Sequence, residues 1–178
     1  MKVLTVVLLM VVLSLGANLA MAAPDPCSAT AAVTCTVDQI IEWAAPKAFD
    51  TIAIPNITAR GDTPSASKSL VLYTNCNVNI TADNTTAAQL TKTTDTLVTE
   101  YKLDYDVEAD GADTWGVPKN WALHNLFLAG GASTASVVTH ETLDGAIEVT
   151  LSARASNATG TLADAGAYHA HQTLTATF

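Results

Sequence analysis

Positive charge is scarce in this chain: 178 residues carry 8 lysines and arginines against 17 aspartates and glutamates, a formal net charge of −9. Neutralising nucleic-acid phosphates takes clustered lysine and arginine, so the composition argues against a nucleic-acid partner. Aromatic residues make up only 6%. The apolar content of 49% therefore leans on alanine and other small side chains, each of which buries little area. With only 14% of residues charged, the chain is nonetheless too apolar for a disordered polypeptide, and its length suits one compact domain. Catalytic signatures are missing too. There is no serine in a strained glycine elbow, no cysteine beside an activating histidine, no phosphate-cradling glycine loop, no dinucleotide fingerprint and no paired CxxC. Acidic residues are plentiful, yet no pair stands out as an acid and nucleophile. The expectation is a protein that is not an enzyme, with no catalytic residues and no cofactor.

Long apolar runs are confined to the N-terminus. Lys2 precedes a run from Val3 to Leu15, followed by Gly16, Asn18 and the small-residue pattern Ala20-Met21-Ala22. This is the pattern of a secretory signal peptide cleaved after Ala22, and the run is shorter than the ~20 residues of a membrane-spanning helix. Residues 1–22 are read as the leader and 23–178 as a single exported domain with a short N-terminal arm. The expected location is periplasm, cell surface or an extracellular fibre. Loss of Lys2 makes the remainder still more acidic. Cysteines are few: Cys27, Cys35 and Cys76. Pro24-Asp25-Pro26 occupies the place where a lipid-anchored cysteine needs small residues. In an oxidising compartment one pair is expected to bridge, and three pairings are open. Cys35 with Cys76 is favoured, because a loop of about 40 residues gains roughly 4 kcal/mol by the chain-entropy estimate.

What the chain does have is period-two alternation, with threonine and valine where a helix would prefer leucine, glutamate or lysine. One strand is predicted over Ser69–Thr81, with Leu70, Leu72, Thr74, Cys76, Val78 and Ile80 on one face. Another covers Leu97–Asp106, with Tyr101, Leu103 and Tyr105 inward and Glu100, Lys102 and Asp104 outward. A third covers Ala146–Ala155, with Ile147, Val149 and Leu151 inward. The last runs from Tyr168 to Phe178 and aligns Tyr168, Ala170, Gln172, Leu174, Ala176 and Phe178. Further strands are expected over Ala31–Val37 and Thr51–Ile57, while Trp121–Leu128 reads equally as strand or helix. Short alternating strands between polar or glycine-bearing connections predict an all-β chain, an immunoglobulin-like two-sheet sandwich.

Two clusters have a chemical reading. Asp106, Glu108, Asp110 and Gly111 fall at the first, third, fifth and sixth places of a calcium-loop pattern, but the twelfth place is Val117 rather than an acidic residue. A solvated acidic hairpin loop is the expectation, with a weak calcium site at Asp106, Glu108 and Asp110 as the alternative. His169 and His171 share a strand face, a spacing that suits two metal ligands but lacks a third, so exposed histidines are expected. Asn56, Asn79, Asn84 and Asn157 each open an Asn-X-Ser/Thr triplet.

Several segments follow one another in a familiar order. Cys35-Thr36-Val37 precedes Ile41-Glu42-Trp43, and a second cysteine lies within Leu70-Val71-Leu72-Tyr73-Thr74-Asn75-Cys76-Asn77. Tyr101-Lys102-Leu103-Asp104-Tyr105-Asp106 and Trp115 come next. Ala165-Gly166-Ala167-Tyr168 and the alternating Gln172, Leu174, Ala176 and Phe178 close the chain. This resembles the spore coat protein U family, whose members include pilus subunits of archaic chaperone–usher systems. The resemblance implies an incomplete sandwich completed by a donated strand, a Cys35–Cys76 disulfide, and polymerisation with copies of itself or related subunits, with a chaperone as a further partner. It places Tyr168, Leu174 and Phe178 in the assembly groove and Ala29, Ala31 and Val33 on the donated arm. Cys27 is additional to the pattern, and Pro24 and Pro26 cannot give ladder hydrogen bonds. The expected function is a structural subunit of a surface fibre or coat; the alternative is a monomeric secreted binding module using the acidic loop.

Overall fold

A computed structural model describes residues 28–107, 120–128, 136–138 and 145–178, with only the backbone for Asp106, Val107 and 136–138. The chain divides between Val37 and Asp38 into two units. In the first, residues 28–37 are all exposed and carry no regular structure. The strand expected over Ala31–Val37 is therefore not formed. Alternation alone does not make a strand, because the backbone gains nothing over water until a neighbouring edge pairs with it.

The second unit is a two-sheet antiparallel β-sandwich. Its strands are β1 (Ile41–Trp43), β2 (Ser65–Thr74), β3 (Val78–Ala82), β4 (Thr91–Lys92), β5 (Asp95–Thr96), β6 (Val98–Val107), β7 (Ala122–Leu123), β8 (Ser136–Val138), β9 (Ala146–Ser156) and β10 (Leu174–Thr177). The larger sheet runs β1-β2-β9-β6-β7 and the smaller β10-β3-β8, while β4 and β5 form a separate hairpin. The central ladders set Leu72 opposite Ile147, Leu70 opposite Val149 and Leu103 opposite Leu151. Each strand thus contributes its alternate apolar residues to one face.

That face packs on the smaller sheet. Leu72, Leu103, Tyr105, Ile147 and Val149 meet Val78, Ile80 and Phe127, all at most 2% exposed. Phe127 lies 5.6 Å from Tyr101, ring centre to ring centre. The Tyr101 hydroxyl donates to the Ala88 carbonyl at 2.7 Å, and burial pushes this phenol up to about 12. The opposite face of the larger sheet is polar, as the alternation predicts. Arg154 binds both carboxylate oxygens of Glu100 at 2.7 and 3.0 Å and lies over the Trp121 ring at 4.7 Å. Lys102 pairs with Asp104 at 2.7 Å.

The single strand expected over Ser69–Thr81 is two strands in different sheets. The chain breaks at residues 75–77, where the Thr74 hydroxyl donates to the Cys76 carbonyl and accepts from the Cys76 N–H. The Asn75 side chain accepts from the Ile40 N–H and donates to the Asp38 carbonyl. Such local bonds offer the backbone an alternative to a continuous ladder. Thr74, Val78 and Ile80 are nonetheless all buried, so the chain changes sheets without losing its inward phase. Trp121–Leu128 resolves into the short β7 followed by turns.

Candidate functional site: an open groove beside the last strand

The smaller sheet does not cover the whole inner face of the larger one. Where β2, β6 and β9 continue beyond it, Leu70, Leu97, Thr99, Tyr101, Leu151, Ala153 and Ala155 line a groove of about 1450 Å³. Two extended segments form its walls.

The first wall is the Thr51–Ile57 segment, expected to be a strand. Ile52 and Ile54 are half-buried between exposed neighbours, but the alternation breaks at the exposed Pro55 and Asn56, after which Ile57 is again half-buried. Yet no backbone N–H or C=O of residues 48–57 bonds to the backbone of any other described residue. The wall is held at its ends. At one end Phe49 packs edge-on to Trp43 at 6.0 Å. At the other, the Asp62 carboxylate accepts from the Thr58 N–H at 2.8 Å, the Thr58 hydroxyl at 2.9 Å and the Ala59 N–H at 2.6 Å. These hydrogen bonds, Thr58 foremost, hold the Asp62 carboxyl below the usual carboxylate range.

The second wall is Tyr168–Leu174, which leads into β10. Only Leu174–Thr177 forms a regular ladder, with β3. Upstream, His169 exchanges both backbone bonds with Thr91, the His171 N–H donates to the Ala87 carbonyl, and the Thr173 carbonyl accepts from the Asp83 N–H. Backbone groups of successive residues in an extended chain point to opposite edges. Ala170 and Gln172 therefore turn their N–H and C=O groups to the other edge, toward the groove. The predicted face is kept, since Tyr168, Ala170, Gln172, Leu174 and Ala176 are half-buried while His169, His171 and Thr173 are exposed.

The β4–β5 hairpin straps the start of this wall. Lys92 Nζ donates to the Ala165 carbonyl, the Asp95 carboxylate accepts from the Asp164 N–H at 2.8 Å, and the Tyr168 hydroxyl donates to the Asp164 carbonyl at 2.8 Å. Desolvation, then the negative charge of Asp95, raise the Tyr168 phenol above its ordinary value. Gly166, at φ +148°, lies so close to Lys92 that a β-carbon would come within 2.8 Å of Nζ.

The expected assembly residues separate. Tyr168 and Leu174 line the groove. Phe178 follows the end of β10, is 51% exposed and lies outside the lining. On the arm, Ala29 and Ala31 are exposed and Val33 is 91% exposed. Cys35 is an exposed free thiol and Cys76 a half-buried one, and Cys27 lies outside the described residues. Of the acidic loop, Glu108 and Asp110 also lie outside the described residues, and Asp106 is placed in β6 by its backbone alone. Among the described residues no three metal-binding side chains gather. No helix among them is long and apolar enough to cross a membrane. Of the four Asn-X-Ser/Thr asparagines only Asn56, on the first wall, is exposed; the Asn157 amide is engaged with the Arg60 carbonyl and the Ala163 N–H. Comparison with protein-family models and with curated protein sequences finds no match for this chain.

The alternation marked both walls but not their lack of a shared partner, which depends on sheet order. The hairpin strap carried no apolar pattern, and Gly166 in Ala165-Gly166-Ala167 was its only signal.

Proposed function

We propose that this chain is an exported structural subunit of a surface fibre or coat, whose groove takes up an extended arm from a neighbouring subunit. One observation carries the reading: two extended segments line the same groove, the first with no backbone partner along residues 48–57 and the second with Ala170 and Gln172 unpaired, among the described residues. Unpaired edges are satisfied by an added strand, here above a floor in which Tyr101, Leu151, Ala153 and Ala155 are already at most 5% exposed beneath the two walls. A volume of about 1450 Å³ also exceeds the ~300–1,000 Å³ of small-molecule pockets, which favours a polypeptide occupant. Residues 28–37 supply an arm of the right kind, extended in composition, exposed, and with Ala29, Ala31 and Val33 at alternate positions. The resemblance to the spore coat protein U family supports the same reading.

The Cys35–Cys76 bridge belongs to this proposal. Asp38, three residues after Cys35, is hydrogen-bonded to Asn75, the neighbour of Cys76, so the tether between the two cysteines is short. Non-reducing mass spectrometry of the exported chain reads the pairing directly. The assembly is tested by size-exclusion chromatography, electron microscopy and unheated denaturing gels of the chain from Ala23 onward. Concentration-dependent fibres or ladders, lost on deleting Ala23–Ala32, are expected. A monomer that the deletion leaves unchanged contradicts the reading, and calcium-dependent melting lost in Asp106→Asn with Asp110→Asn would point instead to a binding module.

A further inference from the structure

Building on the strand-capture reading, we propose that the first wall is a displaceable cover, which shields the groove floor in the free subunit and swings aside when a neighbour's arm arrives. The floor is closed off from water, since Tyr101, Leu151, Ala153 and Ala155 are at most 5% exposed. Ile52 and Ile54 pack against the cluster that contains Tyr101, Leu151 and Ala153, and are themselves half-buried. Their attachment is unusual. No hydrogen bond, from backbone or side chain, joins residues 48–57 to any other described residue. The segment is anchored only on either side, by Phe49 against Trp43 and by the Asp62 carboxylate on the Thr58 and Ala59 N–H groups. The second wall is fastened throughout. His169, His171 and Thr173 make backbone bonds, and the Gln172 Nε2 donates to the Asp83 and Thr173 carbonyls.

A segment held by side-chain burial alone opens at small cost, because lifting it breaks no hydrogen bond. It cannot zip onto the second wall by itself, since Pro55 has no N–H to donate and the in–out alternation breaks at Pro55 and Asn56. A neighbour's arm has neither defect. Residues 28–37 contain no proline, Ala29, Ala31 and Val33 alternate without interruption, and the arm's backbone has Ala170 and Gln172 to pair with. Exchange thus replaces part of the apolar cover and adds ladder bonds that the resident segment does not make. Until then Ile52 and Ile54 keep the floor from presenting an apolar patch to other proteins. With Phe49 and Thr58 as its hinges, the opened segment stays beside the arm as the groove's rim.

The sign of one effect separates a cover from a fixed wall. An arm that binds only the opened state has its affinity lowered by the fraction of chains that are closed, so weakening the cover tightens binding, whereas weakening a wall that the arm packs on loosens it. The test uses the dispersed exported chain and a fluorescent synthetic peptide of residues 23–37 carrying Cys27→Ala and Cys35→Ala. Ile52→Ala and Ile54→Ala should each bind this peptide about fivefold or more tighter than the parent does. Hydroxyl-radical footprinting of the unsubstituted chain guards against a folding defect in either variant: labelling of Ile52 and Ile54 should rise when the peptide binds. Unchanged or weaker binding in both variants, or labelling of Ile52 and Ile54 that falls on binding, overturns the cover while leaving strand capture intact. Binding of the peptide to neither the parent nor the variants overturns strand capture and this inference together.

Discussion

Val33 and Val37 are the largest apolar residues of the proposed arm segment, and Val33 is 91% exposed in the free chain. An exposed side chain contributes little to its own chain's stability, so Val33→Ala and Val33→Asp should each leave the melt of the dispersed chain within about 0.5 kcal/mol of the parent. Seated in a neighbour's groove, the same side chain would be removed from water. At about 0.8 kcal/mol per buried methyl or methylene, trimming valine to alanine forfeits about 1.6 kcal/mol per junction, or about 15-fold in the junction equilibrium. Val33→Asp would bring an unpaired carboxylate into the apolar groove, a far larger penalty, and should abolish assembly. The assay is sedimentation or size-exclusion over a concentration series, with urea melts of the dispersed chain alongside. Assembly of Val33→Asp at parental concentrations would refute the reasoning. So would a loss of more than about 1 kcal/mol in the dispersed melt of Val33→Ala, since that would mean Val33 is packed within its own chain.

Phe127→Ala should cost the fold about 3–5 kcal/mol in chemical denaturation, because the ring is fully buried against Tyr101; a loss below about 1 kcal/mol would contradict that packing. Gly166→Ala should cost about 1–3 kcal/mol, since φ +148° disfavours a β-carbon and relief of the contact moves Lys92 off the Ala165 carbonyl; an unchanged melt would contradict the strap. Burial lowers the His124 pKa, so the unfolded chain takes up the proton more readily and stability falls as pH drops through the ordinary histidine value of about 6.5. Melts at about pH 7.5 and about pH 5.5 should therefore show a smaller acid loss in His124→Gln than in the parent, and equal losses would contradict the assignment.

The parts of the fold legible in sequence are those where burial itself writes the pattern. In β6 and β9 one face meets the core and the other meets water, so Tyr101, Leu103 and Tyr105, and Ile147, Val149 and Leu151, declare their inward phase. The break between β2 and β3 was not legible. Thr74 and Val78 keep the same phase in two different sheets, and the hydrogen bonds of Thr74 and Asn75 that turn the chain leave no periodic trace. For the groove, alternation in Thr51–Ile57 and Tyr168–Phe178 found both walls. It did not show that residues 48–57 lack a ladder, because pairing is a property of neighbours brought together by topology. Gln172 read as one more member of an inward face, and only the bonds of its amide to Asp83 and Thr173 reveal an oxygen left without a partner.

The central claim is that the groove between the two walls is filled by the arm of another subunit. A photo-crosslinking residue placed at Ala31, in a mixture of isotopically light and heavy chains, tests it most directly by mass spectrometry of the assembled protein. The account predicts mixed light–heavy crosslinks from residue 31 onto the walls at 51–57 and 168–174. Crosslinks confined to single chains, or intermolecular ones landing only on the polar outer face around Lys102 and Arg154, would contradict it.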